Sequence, residues 1–147
     1  MEILVLTNDA VIEIDGVKYH HHPNGGGLVA ETAHADATAF IGPFAKICGN
    51  GRVCDDAFVF GNAWIFGNAE ISGNAQVFGN SRVFGNARVA GEAKVFGFAT
   101  VYDNAIVDGM AEVSDNASVC GCARTHGMEK LRGAQRKTGE ELLATVW

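Results

Sequence analysis

Residues 64–96 read WIFGNAEISGNAQVFGNSRVFGNARVAGEAKVF, in which one phrase of six residues, V-F-G-N-A-x, recurs with little variation. A repeat this short is typical of a β-solenoid, in which each copy forms one strand and one corner. The stretch therefore predicts the fold class and the place of each residue within a coil.

The six-residue period extends well beyond this stretch. An aliphatic residue opens each hexapeptide from Val29 to Val119 except at Ala35, and Thr125 follows in the same register. The fifth residue is always Ala, Gly or Ser, and the period holds from Val29 to Arg124, over 96 residues or 16 hexapeptides, without insertion or deletion. Three sides of six residues predict 18 residues per coil. The aliphatic and small side chains should point inward, and Gly-Asn pairs should form corners with positive φ.

Residues 1–28 lie outside the repeat and are predicted to form an N-terminal β cap. Ile3–Leu6 and Val11–Ile14 have the composition of strands, and Asp15-Gly16 is a tight-hairpin signal. The glycines that follow, residues 25–27, are typical of a flexible joint. We expect this cap to cover the first coil, where unpaired backbone groups would otherwise invite aggregation.

Residues 29–126 form the predicted solenoid, and residues 127–147 are interpreted as leaving its register. The segment from Thr138 to Glu141 resembles a capping box, and Leu142-Leu143-Ala144 follows it. This pattern predicts a short helix that caps or docks the C-terminal end.

The composition disfavours several classes of function. The net charge is −6, which argues against non-specific nucleic-acid binding. No apolar run approaches the roughly 20 residues that cross a membrane. The first residues lack the basic and apolar regions of a signal peptide, so we expect a protein that is not exported and has free thiols. The spacings Cys48-x5-Cys54 and Cys120-x-Cys122 match no common zinc pattern.

The outward positions differ between the three faces of the predicted prism. The residues after the aliphatic positions are mostly aromatic in two columns, whereas the third column carries Asp36, Cys54 and Ser72. Outward aromatic side chains at this density predict a partner, and a homotrimer would bury them and leave the third face wet. Stacking of the rings within one chain is the alternative. The predicted trimer interface consists of Phe58, Phe60, Phe78, Phe96, Trp64, Phe66, Phe84 and Tyr102.

A basic run near the C-terminus is a candidate docking site. Its members are Lys130, Arg132, Arg136 and Lys137. Such a run can bind an acidic surface of a larger assembly, or it can form a solvated tail. The sequence leaves these alternatives open.

Three consecutive histidines, residues 20–22, are a weak candidate metal site. They could meet at a three-fold axis, but neighbours in sequence rarely converge on one ion, so an exposed polar loop is the preferred interpretation. We therefore expect no metal and no cofactor.

The order aliphatic, two variable residues, Asn, small, variable resembles that of the hexapeptide-repeat proteins with a left-handed parallel β-helix. The resemblance covers residues 29–124 and implies an all-β, left-handed solenoid that forms homotrimers. The Gly-Asn-Ala phrasing and the opening segment from Gly27 to Ala33 are more similar to small phage and prophage members than to metabolic acyltransferases. This resemblance implies a non-enzymatic structural protein, such as a capsid decoration, cement or tail-spike module, found in the virion or the cytoplasm.

Two other functions fit the same fold. An acyl-CoA-dependent acyltransferase would need a histidine base, and His126 is the only plausible one, because His34 falls on the polar face. The repeat also lacks the inserted loop that shapes the cleft in many such enzymes. A glycan-binding adhesin would expose aromatic rings to sugars, with Trp64 as the candidate. We favour the structural role over both.

Overall fold

The structure, a computed structural model, describes residues 11–139 together with residues 142 and 143. It is an all-β solenoid of about six turns with about 18 residues per turn. Neighbouring strands within each wall are parallel and 18 residues apart, as Glu70 and Arg88 are. The predicted solenoid and its coil length are confirmed.

Three sheets form the walls of the prism, and the strands of each sheet follow in spatial order. The first sheet contains β1 (Val11–Ile14), β2 (Val17–His21), β3 (Leu28–Ala30), β6 (Lys46–Ile47), β9 (Trp64–Ile65), β12 (Arg82–Val83), β15 (Thr100–Val101), β18 (Ser118–Val119), β21 (Arg136–Lys137) and β22 (Leu142–Leu143). The second contains β19 (Arg124–Thr125), β16 (Ile106–Val107), β13 (Arg88–Val89), β10 (Glu70–Ile71), β7 (Arg52–Val53) and β4 (His34–Ala35). The third contains β20 (Lys130–Leu131), β17 (Glu112–Val113), β14 (Lys94–Val95), β11 (Gln76–Val77), β8 (Phe58–Val59) and β5 (Phe40–Ile41).

The core consists of the two inward positions of the repeat. From Ala39 to Ala123, the inward aliphatic and alanine side chains are at most 2% exposed. Equivalent residues stack in register, so that Ile65 lies between Ile47 and Val83 along the first sheet. The six-residue period therefore produces one continuous apolar column along the prism axis.

The corners have the predicted positive φ, which glycine provides at most of them. Gly79, for example, has a φ of 72°. Asp55, Asp103 and Asp115 take the same conformation with φ values of 60°, 60° and 57°. Their carboxylates accept the backbone N–H of the residue 18 positions later, at 3.0, 3.1 and 2.9 Å. This bond between coils offsets the strain of a left-handed conformation in a residue with a side chain.

The N-terminal hairpin is confirmed in the described residues. Strand β1 pairs with β2 in an antiparallel register, and Asp15 and Gly16 between them both have positive φ. Strand β2 pairs antiparallel with β3 and so covers the first sheet at the N-terminal end. The predicted strand Ile3–Leu6 lies outside the described residues.

The glycine segment was interpreted as a flexible joint, but it is a hydrogen-bonded turn packed on the first coil. The N–H of Gly27 donates to Ile41 O at 2.9 Å, and that of Gly26 donates to His22 O at 2.8 Å. A Cβ atom added to Gly25 would lie 2.1 Å from Ile41 O. Glycine is needed at this position because the turn presses directly against the backbone of β5.

At the C-terminal end, two predictions were wrong. The register does not stop at residue 126, because β20 and β21 pair with β17 and β18 and extend the third and first sheets. Leu142–Leu143, predicted as part of a helix, is a strand that pairs antiparallel with β21. The edge of the first sheet offers backbone partners immediately, whereas a helix this short is unstable without tertiary contacts.

Thr125 occupies an inward aliphatic position and is fully buried, and its Oγ1 atom has no hydrogen-bond partner among the described residues. Thr125→Val removes this unpaired hydroxyl and restores the residue type of the repeat. We expect the free energy of unfolding in denaturant to rise by about 1 kcal/mol. Ser81→Ala is the matched control, because Ser81 Oγ donates to Phe78 O at 2.8 Å and its removal brings no such gain. A Thr125→Val protein no more stable than wild type would contradict this expectation.

Candidate interaction surfaces

Two aromatic ladders run along the prism, one on the third sheet and one on the first. Phe60, Phe78 and Phe96 stack with centroids 4.8 and 5.0 Å apart and ring planes within 3° of parallel. Phe66, Phe84 and Tyr102 stack at 4.7 and 5.1 Å with planes 4° apart. The spacing of the rings follows the spacing of the coils, so the backbone alone brings each ladder into register.

The rings therefore stack within one chain, which was one of the two alternatives left open by the sequence. All six ladder side chains nevertheless stay only half-buried. Phe58 is 44% exposed and lies beside Phe40, with centroids 5.6 Å apart. The stacking uses the ring faces and leaves the outer edges open to a partner, so burial in a homotrimer stays a prediction.

Trp64 lies beside the first-sheet ladder and is held by cations on both sides. Lys46 and Arg82, its strand partners on either side, lie 5.2 and 5.6 Å from the ring centroid. Its Nε1 donates to Cys48 Sγ at 2.9 Å. Cations from both neighbouring strands therefore contact the indole, and sugar binding by Trp64 stays a prediction.

The outer face of the second sheet is polar and carries ion pairs. Arg124 binds Asp108 at 2.9 Å, and Arg88 lies 3.6 Å from Glu70. At the other end of this face, His34 lies 2.7 Å from Asp36. The backbone N–H of Asp55 and the His34 side chain hold the pKa of Asp36 below its usual value. This face thus carries paired charges, and its exposure to solvent in a homotrimer stays a prediction.

The basic run near the C-terminus does not form one surface. Lys130, Arg132 and Arg136 are exposed, but Lys137 is only 4% exposed and points inward. Its Nζ donates to Glu129 Oε2 at 2.9 Å and to Arg124 O at 2.6 Å. Lys137 was therefore wrongly included among the docking residues, because its alternation along the strand places it inside the coil.

The histidine run is part of the N-terminal cap. His20 and His21 belong to β2, so the run is not the polar loop that the sequence favoured. His22 is buried, and its Nε2 donates to Ala39 O at 2.9 Å. His21 Nδ1 donates to Gly26 O at 2.8 Å. Within residues 11–139 and 142–143, no group of three or more His, Cys, Asp or Glu side chains could hold a metal ion.

His126, the residue considered as a catalytic base, lies far from His34, the other histidine near the coils. His126 follows β19 and His34 begins β4, which are the two end strands of the second sheet. His126 is exposed, and its backbone N–H donates to Glu129 Oε1 at 2.9 Å. The two histidines therefore lie at opposite ends of the second sheet and cannot act in one site.

The four cysteines are free thiols, of which Cys120 is buried, Cys48 and Cys54 are half-buried and Cys122 is exposed. Burial raises the pKa of the Cys54 thiol. A hydrogen bond to Cys120, together with burial, raises the pKa of Tyr102. Cys48, Cys54 and Cys120 thus pack in the walls, whereas Cys122 lies at an exposed corner.

Two exposed aromatic side chains were missed by the sequence analysis. Phe44 and Phe98 are 78% and 62% exposed and occupy the corner position that Asn62 and Asn80 hold in other coils. The sequence does indicate them, because phenylalanine replaces the asparagine that many copies of the repeat have at this position. Both lie at the corner between the third and first sheets, next to the two ladder faces.

The described part of the chain contains no helix long and apolar enough to span a membrane. Comparison of the chain with protein-family models, with curated proteins and with solved structures finds no match.

Proposed function

We propose that the protein is a non-enzymatic structural module that forms a homotrimer through its two aromatic ladders. The observation that carries this proposal is the difference between the faces. Two faces hold half-buried aromatic columns, whereas the third holds exposed ion pairs. An apolar surface of this kind is typical of a protein interface, and the charged face is suited to solvent.

The regular walls also favour a structural role over catalysis. Every hexapeptide from Val29 to Arg124 is used for a strand and a corner, so no loop extends from the coils to enclose a substrate. The larger assembly we propose is a phage virion, on the basis of the repeat phrasing alone. The exposed cations Lys130, Arg132 and Arg136 would then contact an acidic surface of that assembly.

Native mass spectrometry and sedimentation test the homotrimer. We expect a trimer for the wild-type protein and a shift to monomer for Phe78→Ser with Phe84→Ser. Serine already occupies this repeat position at Ser72 and Ser114, so these variants should fold. Ser72→Ala on the polar face is the control and should stay trimeric. A monomeric wild-type protein, or a double variant that stays trimeric, would overturn the proposed interface.

The same measurement with acetyl-CoA separates the structural role from an acyltransferase. A trimer whose mass does not change supports the structural role. A trimer that takes up as many as three cofactors would contradict it and would make His126 the residue to substitute next.

A further inference from the structure

The last coil carries polar side chains at inward positions where every earlier coil has apolar or small ones. Glu129 and Gln135 stand where the repeat has Ala111 and Ala117 one coil earlier, and Lys137 stands where it has Val119. We call Glu129, Gln135 and Lys137 the polar lid. An inward charge would be very costly within the stack, so these residues are compatible only with a coil that has no other coil above it.

Glu129 and Gln135 close the backbone at this end. In each wall, N–H groups of one coil donate to C=O groups of the next, as Ser72 N does to Val89 O at 2.9 Å. The last described coil therefore leaves N–H groups of this kind at its edge, among them those of His126 and Arg132. Glu129 Oε1 accepts the N–H of His126, and Gln135 Oε1 accepts that of Arg132, both at 2.9 Å.

Both contacts are reciprocal turns. The N–H of Glu129 donates back to His126 O, and that of Gln135 donates back to Arg132 O, each at 3.2 Å. The side chains thus replace the carbonyl groups that a further coil would have supplied. In the first sheet, β22 covers the same edge with an antiparallel strand.

Lys137 covers the end of the core. Its Nζ reaches from the first sheet to Arg124 O on the second, and it binds both carboxylate oxygens of Glu129 at 2.9 and 3.1 Å. Burial raises the pKa of Glu129, but the His126 N–H and the Lys137 ammonium outweigh burial and hold it below its usual value. The carboxylate is therefore charged and paired across the open end of the prism.

At the opposite end of the prism, the described residues cover the first and third walls but not the second. The N-terminal turn covers the third sheet there, since the carbonyls of Ala39 and Ile41 accept from it and the N–H of Ile41 donates to Asn24 O at 3.0 Å. Strand β2 covers the first sheet. In the second sheet, the carbonyls of Ala33, just before β4, and of Ala35, within it, have no hydrogen-bond partner among the described residues, and both side chains are only partly buried. A copy placed end to end would bring these carbonyls to the last strand of the second sheet, next to the N–H of His126.

We propose that the polar lid blocks end-to-end stacking of this chain onto a second copy of itself. The lid occupies the N–H groups and covers the core that such a copy would use. Head-to-tail contacts of this kind do not close and would otherwise generate filaments. This inference concerns the axial ends and does not depend on whether the lateral faces form a trimer.

The test is an open-end variant, Glu129→Ala with Gln135→Ala and Lys137→Val, in which each position receives the residue type of the repeat. Sedimentation and electron microscopy across a concentration series measure the assembly. We expect rods of constant width whose length grows with concentration, and a weight-average mass at least about twofold above wild type. Lateral assembly would instead stop at a fixed mass and would change the width.

Glu70→Ala with Arg88→Ala is the control, because it also removes one acidic and one basic side chain but from the polar face. It should keep the wild-type size. A folded open-end variant, with the β-sheet circular dichroism of wild type, that does not grow would overturn the proposal. If that variant does not fold, Lys137→Met decides, since it keeps the apolar stem and loses the Nζ contacts. Concentration-dependent growth of Lys137→Met supports the block, and a wild-type size contradicts it.

Discussion

Ile65→Ala is expected to lower the free energy of unfolding by about 2–5 kcal/mol, because it leaves a cavity in the centre of the apolar column. Ile65 is fully buried, and Ile47 and Val83 stack on either side of it. The coils above and below are held by ladder hydrogen bonds in all three walls, so they cannot collapse into the space.

Denaturant unfolding at one fixed protein concentration measures this effect, since any oligomer would make stability depend on concentration. Ile65→Val is the graded control and should cost only about 0.5–1.5 kcal/mol, because a single methylene is lost. If Ile65→Ala were as stable as Ile65→Val, the column would be far less tightly packed than the structure shows.

Gly79→Ala should cost about 1–2 kcal/mol for the left-handed conformation alone, with a further steric cost. Gly79 has a φ of 72°, and a Cβ atom added there would lie 2.8 Å from the backbone nitrogen of Gly97 in the next coil. The two corners must therefore move apart or the turn must change. Thermal and denaturant unfolding both report the loss.

Two substitutions separate strain from crowding at this corner. Gly133→Ala has a similar φ of 63° but nothing within 4 Å of the added Cβ, so it should show the conformational cost only. Gly79→Asp should be less damaging than Gly79→Ala, because its carboxylate can accept the N–H of Gly97 as Asp55 accepts that of Gly73. Equal losses for Ala and Asp at position 79 would contradict this explanation of the aspartate corners.

The inward and outward positions could be read from the sequence because the repeat has no insertions. A period of six assigns every residue to a wall or a corner, and aliphatic residues at one fixed position identify the core. The hairpin of β1 and β2 was equally predictable, since Asp15-Gly16 favours the positive φ values that such a turn requires.

The polar lid could not be recognised in this way. Glu129, Gln135 and Lys137 break the hydrophobic pattern, so the pattern itself indicated that the solenoid had ended. They are in register, and their polar side chains can fold over the core because the described residues place no further coil above them. Their residue types indicate a terminal coil only once the structure has shown that the register continues through these positions.

The sequence by itself determined the coil length, the two inward stripes and the glycine-rich corners, because each follows from local periodicity and backbone sterics. Only the tertiary structure decided that Leu142–Leu143 is a strand, that His22 binds a carbonyl and that the aromatic rings stack face to face. These features depend on which backbone edges and side chains come together between residues distant in sequence. Hydrogen-bond partners and ring contacts of that kind exist only once the coils are stacked.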